Sequence, residues 1–248
     1  MKKSLKTLGV VIKRRKFSEA DKILTIFTHD FGKITAISKG VRKIKSKMAG
    51  SLEPFNLVNF NLYHGQTFFT ITGAQVEESY ENIGKNLKKT SRAFYLGELI
   101  DKFFEQEEKS KRGFEIFLEA LRYLDEDDDE LVIRIFELKI IEESGFRPEI
   151  YHCVHCKGAL IPKKNFWDEI EGGIICMLCQ KKFGHGKPIS DDTIKLFRLI
   201  EKSDFSLARR LKINRGIQRE AEEILGRYVE SKLERGVKSR KFMKQNSE

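Results

Sequence analysis

Residues 58–71 read Val58-Asn59-Phe60-Asn61-Leu62-Tyr63-His64-Gly65-Gln66-Thr67-Phe68-Phe69-Thr70-Ile71. Val58, Phe60 and Leu62 alternate with Asn59, Asn61 and Tyr63. His64-Gly65 then turns the chain, and Phe69 and Ile71 resume the alternation in a segment running to Gln75. A period of two places one set of side chains on one strand face, so this stretch predicts a hairpin with one buried side. Upstream, residues 8–12, 23–28 and 33–38 are rich in aliphatic and β-branched residues, with His29-Asp30-Phe31-Gly32 as a turn between the last two. Five strands in the first eighty residues suit a small barrel. The OB-fold is the natural candidate, and an SH3-like barrel has a similar strand count.

Downstream the period changes. Leu96, Leu99, Ile100 and Phe103 share one helical face, as do Phe114, Phe117, Leu118 and Leu121. Residues 131–141 are apolar over much of the circumference, which predicts a largely buried helix. Ser144-Gly145 and Pro148 stop it. Ser190-Asp191 caps a further helix carrying Ile194, Phe197, Leu199 and Ile200, and a last helix starts near Arg215. The tail from Lys238 is expected to fray. The acidic run from Asp125 to Glu130 lacks the glycine and spaced ligands of a calcium loop, and reads as a helix-to-helix connection carrying an amino-terminal cap.

Cys153, Cys156, Cys176 and Cys179 are all the cysteines of the 248-residue chain, in two CxxC pairs nineteen residues apart. Two such knuckles complete a tetrahedron of thiolates around one metal, so one structural zinc ion is expected. Pro162, Gly172 and Gly173 let the intervening loop reverse. Disulfides are disfavoured, because no signal peptide is evident and the protein reads as cytoplasmic, where thiols stay reduced. A site of three cysteines and His155 is strained, because His155 adjoins Cys156. His152 and His185 also lie near the knuckles. The predicted class is α+β with several domains. It comprises an OB-fold β-barrel over residues 1–80, an α-helical domain over 81–150 and 188–240, and an embedded four-cysteine zinc-binding insertion over 151–187.

The net charge of +10 is unevenly spread: the first fifty residues carry 14 Lys+Arg against 3 Asp+Glu, and the next hundred carry 12 against 21. A basic head above an acidic middle points to a polyanion partner. Lys13, Arg14, Arg15 and Lys16 follow the first predicted strand. Lys33, Lys39, Arg42, Lys43, Lys45 and Lys47 lie in the third strand and its connector. On a barrel these clusters are neighbours and can track a phosphate backbone without sequence preference. Phe17, Phe27, Phe31, Tyr63 and Phe68 are candidate stacking platforms beside that track, or barrel core. No nucleophile motif, HExxH, Walker loop or dinucleotide glycine pattern is present, so no catalytic residue is named and an enzyme is not expected. No apolar run approaches the roughly 20 residues of a membrane span.

Several quoted stretches carry a family resemblance. Leu8-Gly9-Val10-Val11, Glu19-Ala20-Asp21-Lys22-Ile23-Leu24, Thr28-His29-Asp30-Phe31-Gly32-Lys33 and Lys39-Gly40-Val41-Arg42-Lys43 resemble the amino-terminal domain of bacterial RecO proteins. Leu52-Glu53-Pro54-Phe55 and Gly145-Phe146-Arg147-Pro148, just ahead of Cys153-Val154-His155-Cys156, extend the resemblance over the whole chain. The resemblance implies a recombination mediator in DNA repair, associated with the nucleoid. Such a protein binds single- and double-stranded DNA, anneals complementary strands, and acts with RecR to help RecA onto DNA coated by single-strand-binding protein. It also implies recognition of that protein's acidic carboxyl-terminal tail by the helical domain. The alternative, from another class, is a zinc-ribbon scaffold for proteins with RNA or ribosome contacts.

Overall fold

The alternating stretch forms two antiparallel strands, β4 and β5, in a computed structural model describing residues 4–43, 46, 48–65, 67–127, 130–233 and 236–246. The barrel strands are β1 (Ser4–Lys16), β2 (Lys22–Thr28), β3 (Gly32–Ser38), β4 (Leu57–His64) and β5 (Phe69–Glu78). Val58, Phe60 and Leu62 are fully buried while Asn59, Asn61 and Tyr63 are partly covered, so the period of two is an inside–outside division. The barrel closes in the order β1-β2-β3-β5-β4, with β3 and β5 parallel. That is the OB-fold order, and it excludes the SH3-like alternative.

Closure rests on β1. Its residues 4–10 pair with β4 and its residues 9–16 with β2, with a register shift between Val11 and Lys13. Such a bulge bends the strand and raises its twist. Gly9 sits where both partners meet: a Cβ there would lie 2.9 Å from Ile26 Cγ2 and 3.2 Å from Phe60 Cδ2.

Three helices follow: α1 (Glu81–Lys85), α2 (Leu87–Phe103) and α3 (Lys111–Glu126). Ile26 faces the barrel interior. Phe27, its neighbour, faces outward onto Phe104 and Phe114, with ring centroids 5.1 and 6.0 Å away. One strand thus supports two cores, and Phe27 is packing, not a stacking platform. Asn86 and Ser110 cap α2 and α3 through their side chains.

The second compact group, Asp129–Gly236, holds α4 (Leu131–Glu143), β6 (Asn165–Asp168), β7 (Gly173–Cys176), α5 (Met177–Phe183) and β8 (Lys187–Pro188). It continues through α6 (Asp191–Lys202), α7 (Leu207–Arg210) and α8 (Arg215–Lys232). α4 is buried on nearly every side, and its fully buried charges, Arg134 and Glu137, pair at 3.1 Å. Its end is a Schellman turn: Gly145 has φ +84°, Phe146 N–H donates to Ile141 O, and Gly145 N–H to Glu142 O. At α4 the preceding residue Glu130 makes no side-chain capping bond, and Asp128 and Asp129 of the acidic run lie outside the described residues. Asp125 instead accepts the Ile83 amide of α1 at 2.9 Å. Tyr228 of α8 packs against Trp167 of β6 (5.3 Å) and donates to Phe146 O (2.8 Å), joining helix, sheet and turn. Gly172 lies beneath it: with φ +71°, a Cβ there would fall 2.3 Å from the Tyr228 hydroxyl oxygen.

The tail does not fray at Lys238. It forms α9 (Lys238–Gln245), which belongs with the barrel and α2, and it buries Val237, Arg240 and Met243. Glu98 of α2 accepts the Lys238 amide (3.1 Å) and the Ser239 amide (2.7 Å) and hydroxyl (2.5 Å), supplying from a distance the cap that α9 lacks. Burial works to raise the Glu98 carboxyl, but the Ser239 and Lys238 donors outweigh it and hold it below its ordinary 4.5. A lowered carboxyl stabilises the folded state above its ordinary value and loses that contribution as pH falls through the lower folded value. Amide protection across residues 238–246, taken relative to intrinsic exchange at the same pH, is therefore expected to be high at pH 7 and to fall below pH 4.5 before that of the barrel. Glu98→Gln should show the lowered protection already at pH 7, and unchanged protection would refute the cap. No helix among the described residues is long and apolar enough to cross a membrane.

Candidate metal centre and nucleic-acid interface

The first knuckle follows the Schellman turn of α4. The second starts at the last residue of β7 and ends in the first turn of α5. The intervening chain reverses through the β6–β7 pair, with Phe166 opposite Ile175. All four sulfurs then lie within 4.8 Å of one another, and Cys156 and Cys176 Sγ are 3.9 Å apart. Thiolates about 2.3 Å from a tetrahedral ion sit about 3.8 Å from each other, so the set has the size of a metal site. All four are free thiols.

Local electrostatics favour a cation. Burial opposes ionisation of Cys153, but the amides of Cys156, Cys176 and His155 outweigh it and bring the thiol down to about 6. Cys179 is pushed up to about 12 by burial and by the thiols of Cys153, Cys156 and Cys176. One thiolate forms readily, whereas the last needs a positive ion to offset its neighbours. His155 does not join the cysteines: its Nε2 lies 3.3 Å from Asp168 Oδ2, and His185 Nδ1 approaches the same oxygen at 3.0 Å.

The basic residues divide in two. Lys13, Arg14, Arg15 and Lys16 do not follow β1 but lie within it, opposite Thr25, Leu24, Ile23 and Lys22 of β2. Lys13 reaches Asp101 at 3.6 Å and Arg14 reaches Glu53 at 2.5 Å. Lys33 departs from the expected set. Its side chain is only 8% exposed, and its ammonium donates to the Asp101 carbonyl and pairs with the Asp101 carboxylate at 3.3 Å. A lysine so enclosed holds α2 to the barrel and presents no charge to a ligand.

Arg15, Lys16, Lys39, Arg42 and Lys43 are exposed at the other end, where β1 finishes, β2 begins and β3 finishes. The 39–43 turn is pinned there. Gly40 N–H donates to Asp21 Oδ1 (2.8 Å), Arg42 donates to Ser18 O (2.7 Å), and Val41 is buried in the barrel core. The Gly40 amide leads in lowering the Asp21 carboxyl, with Lys39 and Lys43 adding to it. Arg15 and Lys16 of the first cluster therefore share one barrel end with Lys39, Arg42 and Lys43 of the second. Lys45 and Lys47 lie outside the described residues.

Residues 1–80 match the family model described as Recombination protein O N terminal, and residues 84–241 match that described as Recombination protein O C terminal. The chain belongs to the RecO family. It is 36% identical over 235 residues to a DNA repair protein RecO of Dehalococcoides mccartyi, covering 94% of this chain and 92% of that protein. A Thermoanaerobacter protein of the same name is 32% identical over 241 residues, covering 96% of each, and one of Alkaliphilus metalliredigens is 32% identical over 235, covering 93% and 94%.

In this RecO chain the sequence reading missed Lys22, which sits directly across from Lys16 in the β1–β2 pair. Like charges in that position cost stability. A single lysine ahead of an aliphatic run gives no signal until the strand register places it beside the cluster. Phe17 is 57% exposed at the same end. Phe31 instead packs on Phe69, 6.3 Å away.

Proposed function

We propose that this chain is a non-enzymatic recombination mediator acting in the cytoplasm on the nucleoid. It binds single- and double-stranded DNA through residues 1–80 and anneals complementary strands. With RecR it helps RecA load onto DNA covered by single-strand-binding protein, whose acidic tail it holds through the helical segments 81–150 and 188–240. The observation that carries this reading is the convergence of Arg15, Lys16, Lys22, Lys39, Arg42 and Lys43 at one end of an OB barrel in a RecO chain. Such a surface neutralises phosphates without reading bases, and exposed Phe17 offers one ring to an unpaired base.

Cys153, Cys156, Cys176 and Cys179 hold one zinc ion in the 151–187 segment. With four thiolates its shell is full, so it supplies folding free energy and no chemistry.

The test is annealing of complementary oligonucleotides at several salt concentrations, with and without purified RecR, beside binding to a structured RNA. Annealing that falls steeply with salt and rises with RecR is expected. Absent annealing with tight RNA binding would overturn the reading in favour of the zinc-ribbon scaffold.

A further inference from the structure

From the convergence of His155, Asp168 and His185 we propose a second divalent-cation site, distinct from the four cysteines and suited to zinc. The three donors come from separate segments: the first knuckle, the end of β6, and the turn after α5. Their ligand atoms all lie within 4.8 Å of one another. His155 Nε2 and His185 Nδ1 stand 3.3 and 3.0 Å from Asp168 Oδ2. Nitrogen and oxygen ligands at ordinary zinc distances are about 3.3 Å apart in a tetrahedron, so the donors have nearly the required spacing.

Each donor is held by contacts of its own. Asp168 is 1% exposed, and its Oδ1 accepts the amides of Ile170 (2.9 Å) and Glu171 (3.2 Å), which leaves Oδ2 turned to the imidazoles. The His155 ring stacks on Phe183 at 4.4 Å and 27°. His185 stands between Gly184 and Gly186, both at positive φ; a Cβ on Gly186 would lie 2.7 Å from Ile175 Cδ1, so the turn approaches as only glycine permits. Orientation of ligands by such outer contacts is the mark of a built site.

A hydrogen-bonded triad is the competing account, and His185 argues against it. Its Nδ1 is buried and satisfies no hydrogen bond, although the carboxylate oxygen is within reach. A buried nitrogen rarely stays unsatisfied, and a lone pair directed at a cation satisfies it. Two imidazoles and one carboxylate suit zinc over magnesium or calcium. Three protein ligands also leave a fourth position for water or an anionic oxygen, unlike the closed thiolate set.

The test titrates zinc alone into reduced full-length protein already carrying one equivalent. Cobalt substitution is read in parallel, because the thiolate-to-cobalt band reports the cysteine site alone. The expected result is a second one-to-one binding event, weakened at least about tenfold in His185→Gln. Asp168→Asn, which keeps the Oδ1 acceptor for the turn, should weaken it likewise. The cobalt–thiolate band should persist in both variants. No second event in the wild type, or one of equal affinity in His185→Gln, would overturn the site. Loss of the thiolate band in His185→Gln would also overturn it, by making His185 a support of the cysteine cluster. Absence of the band in the wild type tells instead against zinc at the four cysteines.

Discussion

Cys153→Ser with Cys176→Ser is expected to release the metal and unfold the segment from the first knuckle through α5. Only a small apolar cluster surrounds the site, with Cys153, Ile175 and Cys179 buried and Val154, Leu160, Phe166 and Cys176 partly so. Two of the three buried members are themselves cysteines of the four-thiol cluster. Structural zinc contributes about 10–16 kcal/mol in small zinc-dependent folds, comparable with the whole stability of an ordinary domain, about 5–15 kcal/mol. No packing of this size replaces it. The Trp167–Tyr228 contact and the hydrogen bond from Tyr228 to Phe146 O should go with the segment, loosening α8 against the end of α4. Native mass spectrometry should find the four-cysteine metal missing, and hydrogen exchange should rise first across residues 153–183. A metal-free variant that kept wild-type protection there would defeat the assignment of that metal as structural.

The second large effect is electrostatic. Reversing Lys39, Arg42 and Lys43 to glutamate should weaken oligonucleotide binding by about tenfold or more near physiological salt. It should also flatten the salt dependence by about 2 in the log–log slope for single strands, the release associated with three phosphate contacts. The turn itself should hold, because Val41 stays buried and the Gly40 amide still binds Asp21. Lys39→Glu with Lys43→Glu, which spares the Arg42 bond to Ser18, separates charge from fold. Lys33→Met makes the contrast. It removes a buried ammonium from Asp101, so it should lower stability and leave the salt slope unchanged. Equal slopes in the triple variant and wild type would remove this barrel end from the interface.

Much of this was readable along the chain because it depends on near neighbours. Alternation at Val58, Phe60 and Leu62 depends only on side chains pointing to opposite faces of a strand. The CxxC pairs depend only on how closely two thiols can approach within one turn, and Gly145 on the helix end that needs positive φ. The misreadings have one cause. Lys33 looked like its exposed neighbours because nothing local announces Asp101, 68 residues away. Lys238 looked like the start of a loose tail because its helix is capped by Glu98, 140 residues earlier.

By itself the sequence determined the strand and helix periods, the paired cysteines and the uneven charge, each a property of composition or of spacing within a few residues. The family is carried instead by the likeness of whole motifs along the chain. Only the tertiary structure decided which cations face outward and which are enclosed, that Lys22 completes the basic end, and that His155, Asp168 and His185 share one point. Those are outcomes of strand register and chain return. Burial and partnership are set by residues far apart in sequence, and no local pattern carries that information.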